Sequence, residues 1–163
     1  MTEGIPVVRM YTDDSGHTRF AKMQIPVESK TGLGSVGLFS SLFVNENIHD
    51  NTGDRKTQFA RTPVPDNLEG GGPKLAHTAP RRQLVLTLSG CLEFKSCDVE
   101  KDDEEHKVTI RRGDILLAED LEGAGHVWKF VESSDGNFYP WIRCYIHLGE
   151  EYNHFVSQLV PKS

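Results

Sequence analysis

The chain predicts an all-β sandwich or barrel, and three observations carry that expectation. Apolar segments of strand length recur along it, sequences rich in Gly, Pro, Asn and Asp separate them, and helix-period patterning is scarce. "IPVVRMY" (5–11) and "HTRFAKMQIPV" (17–27) flank the turn sequence "TDDSG" and predict an N-terminal hairpin. "SVGLFSSLFV" (35–44) predicts a strand, its start loosened by Gly32, Gly34 and Gly37. "NENIHDNTGD" (45–54) reads as a loop, "RKTQFARTPV" (55–64) as a strand, and "PDNLEGGGP" (65–73) as a flexible connection. "RQLVLTLSG", "CLEFKSCDV" and "VTIRRGDILLA" supply further strands around the run Asp102-Asp103-Glu104-Glu105, which reads as a solvated hairpin tip. "GHVWKFVE" (125–132), the turn "SSDGN" and "FYPWIRCYIHLG" (138–149) add two strands. Few or no helices are expected, the terminal "EEYNHFVSQLVPKS" being the one candidate.

At 163 residues one domain, 1–163, is expected, with hydrophobic content of 37% and charged content of 26% fitting a soluble core-forming chain. N-terminal strands would occupy 1–34, the main barrel 35–148 and a tail 149–163. The longest apolar runs resemble Ile115-Leu116-Leu117-Ala118, too short for a membrane-spanning helix. "MTEGIPVVRM" lacks a basic segment followed by an apolar one, so no secretory signal is visible. A formal net charge of −6 with scattered Lys and Arg argues against nucleic acid or an anionic membrane as partner. Cys91, Cys97 and Cys144 leave at least one thiol unpaired, which points to a cytoplasmic protein with reduced cysteines.

"HTAPRRQLVLTLSG" (77–90) places polar groups where a strand interior normally rejects them. Side chains alternate along a strand, so His77, Ala79, Arg81, Gln83, Val85 and Thr87 share one face, and Leu84, Leu86 and Leu88 the other. A face that is polar at one end and apolar further along suits the mouth of a barrel. The segment "RRGDILLAEDLEGAGH" (111–126) supplies a strand start, a buried run and a Gly-bearing turn that delivers His126. By the same parity His126, Trp128 and Phe130 share a face.

These two segments resemble the paired motifs of a small single-domain cupin. The first cupin motif reads Gly, five residues, His-x-His, a few residues, Glu, six residues, Gly. Here Gly71, His77, Gln83 and Gly90 stand at those positions, with Ala79 at the second His and Gln83 at the Glu. The second motif runs from Gly113 through Gly123 to His126, with Glu119 where a Pro is usual. The pattern "APRRQ" followed by "GDILLAEDLEGAGH" is similar to a subgroup of small cupins mostly without assigned reactions, and the resemblance covers about residues 35 to 148.

The resemblance implies a β-jelly-roll barrel holding a divalent transition metal (Fe, Zn, Ni or Mn). Carried over position by position, the ligands are His77, Gln83 and His126, all neutral. Such a site would favour an anionic ligand, with Arg81 on the same face adding positive charge. Arg81 is alternatively a salt-bridge partner of Asp120 or Glu119, a role that suits Arg82 on the opposite face better. Tyr139, Trp141, Arg143, Tyr145 and His147 share a parity, and that face lines either the pocket or an outer contact surface. In the pocket, Arg81, Trp128 and Tyr145 would bind substrate, and His147 or Tyr145 would shuttle protons. The expected function is a metal-dependent enzyme acting on a small, anionic organic molecule, by Lewis-acid isomerisation or elimination, or by oxygenation. The alternative is a non-catalytic small-molecule-binding cupin. A homodimer is a further expectation from the resemblance.

Overall fold

The apolar–polar alternation over the first thirty residues produces the predicted hairpin. In the computed structural model, which describes residues 4–30, 34–37, 57–66, 76–97, 103–149 and 152–161, β1 (Gly4–Thr12) pairs antiparallel with β2 (Thr18–Lys30) from Gly4↔Pro26 to Thr12↔Thr18. Asp13 organises the turn. Its Oδ1 accepts the backbone N–H groups of Ser15 at 2.9 Å and His17 at 3.0 Å, and its Oδ2 accepts from Arg19 Nε at 2.6 Å. The His17 N–H first, then Arg19, hold the Asp13 carboxyl down at about 2 against an ordinary 3.8.

Among the described residues the remaining strands are β3 (Gly34–Gly37), β4 (Thr57–Thr62), β5 (Gln83–Ser89), β6 (Cys91–Ser96), β7 (Lys107–Arg111), β8 (Ile115–Glu119), β9 (His126–Phe130), β10 (Trp141–His147) and β11 (Val160–Pro161). One helix, α1 (Tyr152–Gln158), precedes β11. The larger sheet runs β11-β2-β1-β8-β5-β10-β4, with β3 paired to β2 off that path, and the smaller runs β7-β6-β9. The β1–β8 contact is parallel, from Val8↔Leu116 to Tyr11↔Glu119.

The two sheets enclose one core. Met10, Phe20, Val85, Leu116 and Ala118 from the larger sheet meet Leu92, Phe94, Ile110 and Phe130 from the smaller. The result is an all-β, barrel-like fold. Period-two alternation sends Leu117 the opposite way from Leu116 and Ala118, into a second cluster with Val7, Ile25, Leu84, Phe155 and Leu159 on the outer face of the larger sheet. A seven-residue helix cannot stand alone in water. Burial of Phe155, 1% exposed, stabilises its docking by about 2–3 kcal/mol.

Several expectations change at the strand ends. The polar stretch before β5 is not strand: residues 80–82 form a bend, and His77 makes only an isolated bridge to His126. Leu84 and Leu86 join the outer cluster, but Leu88 is 46% exposed, because it lies at the end of β5 beyond the patch around Phe155. Tyr139 precedes β10 and is exposed, its hydroxyl donating to Asp135 Oδ2 at 2.6 Å instead of joining the parity set. The acidic tip is solvated as expected, with Asp103, Glu104 and Glu105 exposed and Glu104 paired to Lys22 at 2.7 Å. Most of the expected strand 35–44, the loop 45–54, most of the connection 65–73, and Gly71 lie outside the described residues. All three cysteines are free thiols. No helix among the described residues is long and apolar enough to cross a membrane.

Candidate functional site

The site is assembled at the turn between β8 and β9. Gly125 there has φ of +74°, and a Cβ on it would sit 2.4 Å from the His77 carbonyl oxygen, so only glycine fits. This close approach lets His77 and His126 exchange backbone hydrogen bonds of 3.1 and 2.9 Å. With the backbones locked in register, the two imidazoles become neighbours, ring centroids 4.5 Å apart and tilted by 55°.

His126 is buried, and its Nδ1 lies 2.6 Å from Asp120 Oδ2. Asp120 has no exposed surface and also accepts from Thr18 Oγ1 at 3.0 Å and from the Ala79 N–H at 3.3 Å. An ionised carboxylate only accepts, so the chemistry assigns the proton to Nδ1 and leaves the lone pair on Nε2. That is the arrangement by which a carboxylate orients a ligating or proton-accepting imidazole. The Asp120 carboxylate, weighed in the sequence as a partner for Arg81, is thus engaged by Thr18, Ala79 and His126. The Glu119 carboxylate is engaged by Arg9 at 2.5 Å. Burial pushes the Glu119 carboxyl up, and the charges of Arg9 and Arg82 oppose it.

Between the sheets lies a cavity of about 700 Å³. His77, Gln83 and His126 line it, as do Arg81, Trp128, Tyr145 and His147, the seven candidate residues that the sequence named as ligands, substrate binders or proton shuttles. Gln83 and His147 are register partners across β5 and β10, which sets their side chains side by side on its wall. The parity face of β10 therefore points inward from Trp141 to His147. Arg143, on that face, donates from Nε to Tyr145 Oη at 2.6 Å, and from Nη1 to Thr62 Oγ1 at 2.8 Å and the Trp141 carbonyl at 3.4 Å. Its guanidinium carbon stands 3.8 Å from the Trp141 ring centroid. No Asp or Glu is among the described lining residues.

Three contributors escaped the sequence reading as site residues. Trp141 and Arg143 carried a signal, the parity shared with Tyr145 and His147, but parity alone leaves inner and outer faces undecided. Asp120 carried none, because its contact with His126 depends on the path of the intervening turn.

Among the described residues no group of three or more His, Cys, Asp or Glu is placed to hold a metal ion. The donor set is two adjacent imidazoles, one of them oriented by Asp120, and the amide of Gln83, which is 6% exposed. All three line the same cavity and are its candidate donors. No protein-family model, curated protein or solved structure matches this chain.

Proposed function

We propose that the chain is a cupin-type barrel that takes a small organic anion into the cavity between its sheets and acts on it with a divalent transition metal. The supporting observation is the charge of the lining. Arg81, Arg143 and three histidines face the cavity, and among the described residues no carboxylate does, in a chain whose formal net charge is −6. A cationic pocket with largely apolar walls pays little to desolvate an anion that it pairs, and rejects a cation outright. The volume falls in the range of small-molecule sites, roughly 300–1,000 Å³.

His77, His126 through Nε2, and the Gln83 amide oxygen would hold Fe, Zn, Ni or Mn. When bound, the metal would supply Lewis acidity for isomerisation or elimination, or, as iron, support oxygenation. Arg81 and Arg143 bind the anion, and Trp128 covers its apolar body. Tyr145 accepts a hydrogen bond from Arg143 at Oη, so its own phenolic proton is available to a ligand. His147, the register partner of Gln83 on the cavity wall, would move a proton to or from a bound molecule.

A second reading, a ligand-binding barrel without turnover, is favoured by the absence of any carboxylate from the donor set. Metal analysis separates the two. Protein stripped and reloaded in turn with Fe, Zn, Ni and Mn should retain close to one ion per chain, and His77→Ala and His126→Ala should lose it. Benzoate, succinate and phosphate should raise the thermal midpoint, and benzylamine should not. Anion binding without metal retention would favour the binder. No response to any anion would overturn both readings.

A further inference from the structure

Arg143 and the histidine pair occupy opposite ends of one continuous aromatic wall. Arg143 stacks on Trp141, and Trp141 meets Trp128 at 5.1 Å and Phe94 at 5.9 Å between centroids, both edge-on. Phe94 meets His126 at 5.6 Å, and His126 meets His77. All six line the same cavity.

The orientation of Arg143 is imposed on it. Nε and Nη1 are committed to a phenol, a threonine hydroxyl and a backbone carbonyl, all neutral acceptors. Nη2 makes no hydrogen bond to the described residues, and no carboxylate among them neutralises the charge. A guanidinium fixed in this way, stacked on an indole, has little rotamer freedom left to lose when an anion arrives. One committed Arg face with few remaining donors matches a carboxylate better than a phosphate, whose oxygens need more partners. The distance to the imidazoles adds a second requirement. Two aromatic rings separate Arg143 from His126, so a molecule touching both ends needs a flat apolar middle, which edge-on aromatic walls receive well.

From this we infer that the cavity selects an aromatic or similarly flat organic carboxylate, gripped by Arg143 at its carboxylate, with its reacting end against His77 and His126. The inference rests on the anion-binding reading above and narrows it to a substrate class.

The chain has two tryptophans, Trp128 and Trp141, and both line the cavity, so intrinsic fluorescence reports its occupancy. Titration of the full chain with benzoate, benzamide and succinate is the test. Benzoate should bind at least about tenfold more tightly than benzamide, its neutral isostere, and than succinate, which lacks the ring. Arg143→Gln should weaken benzoate by about tenfold or more and benzamide far less, with Arg143→Lys between. Far-UV circular dichroism verifies that each variant folds, and the benzoate–benzamide comparison on the unaltered protein needs no variant. Equal affinity for benzoate and benzamide, or undiminished benzoate binding by Arg143→Gln, overturns the inference. If succinate and phosphate still bind in that case, the broader anion reading stands; if no anion binds, both fall.

Discussion

Asp120 and His126 form a buried pair six residues apart, Oδ2 to Nδ1 at 2.6 Å, with no exposed surface on the carboxylate. Through Thr18 and Ala79 the same carboxylate also ties β2 and the segment entering β5 to the turn before β9. One side chain therefore serves both the fold and the orientation of an imidazole.

Asp120→Ala strands two buried donors, the Thr18 hydroxyl and His126 Nδ1–H. At roughly 1–3 kcal/mol for each unsatisfied group, urea unfolding should show a loss of about 3 kcal/mol. Asp120→Asn keeps the shape and should lose less, while ¹⁵N spectra of the His126 ring should show the Nδ1–H tautomer giving way. An unchanged tautomer would mean that Asp120 does not orient the ring.

Gly125→Ala tests the close approach that brings the two imidazoles together. Its positive φ and the 2.4 Å encounter with the His77 carbonyl should together lower stability by about 3 kcal/mol. Gly113→Ala is the control: φ is +92° but nothing lies within 4 Å, so only about 1 kcal/mol should be lost. Equal losses in the two variants would remove the steric argument.

The Arg9–Glu119 pair predicts a different sign on each side of neutralisation. Glu119→Gln mimics the neutral carboxyl that burial favours and leaves Arg9 with its side chain 29% exposed to water, so at neutral pH it should be no less stable than the unaltered protein. Burial raises the Glu119 carboxyl above its ordinary 4.5, so the folded state disfavours ionisation relative to the unfolded chain. In the unaltered protein this group's contribution is most favourable below 4.5 and declines as pH rises from there through the raised value. Urea midpoints across that window should show the decline in the wild type and not in Glu119→Gln.

Asp13 acts oppositely and at lower pH. Its folded value of about 2 lies below the ordinary 3.8, so its stabilisation is complete above 3.8 and is lost as pH falls toward 2. Asp13→Asn should flatten the thermal midpoint against pH between those values. Parallel curves for the two proteins would show that the turn contacts of Asp13 are not what the carboxyl senses.

How far the chain could be read in advance follows the range of the forces involved. The hairpin over 5–27, the acidic tip and the strands from β5 to β10 follow from side-chain period and turn stereochemistry, which act over a few residues. The seven candidate site residues were named the same way, through parity and motif spacing, and all line one cavity. Parity could not say that β10 turns Trp141 and Arg143 inward, nor that Tyr139, two residues before Trp141, lies outside the strand.

Neighbouring acidic residues make the point most clearly. Glu119 and Asp120 look alike in the chain, yet Glu119 faces Arg9, 110 positions away, while Asp120 is sealed against His126 and Thr18. Local alternation and turn chemistry dictated the strands and which residues share a face. Only the stacking of the sheets dictated which face turned inward, and which distant groups met there, because packing couples residues whose separation along the chain carries no signal of contact.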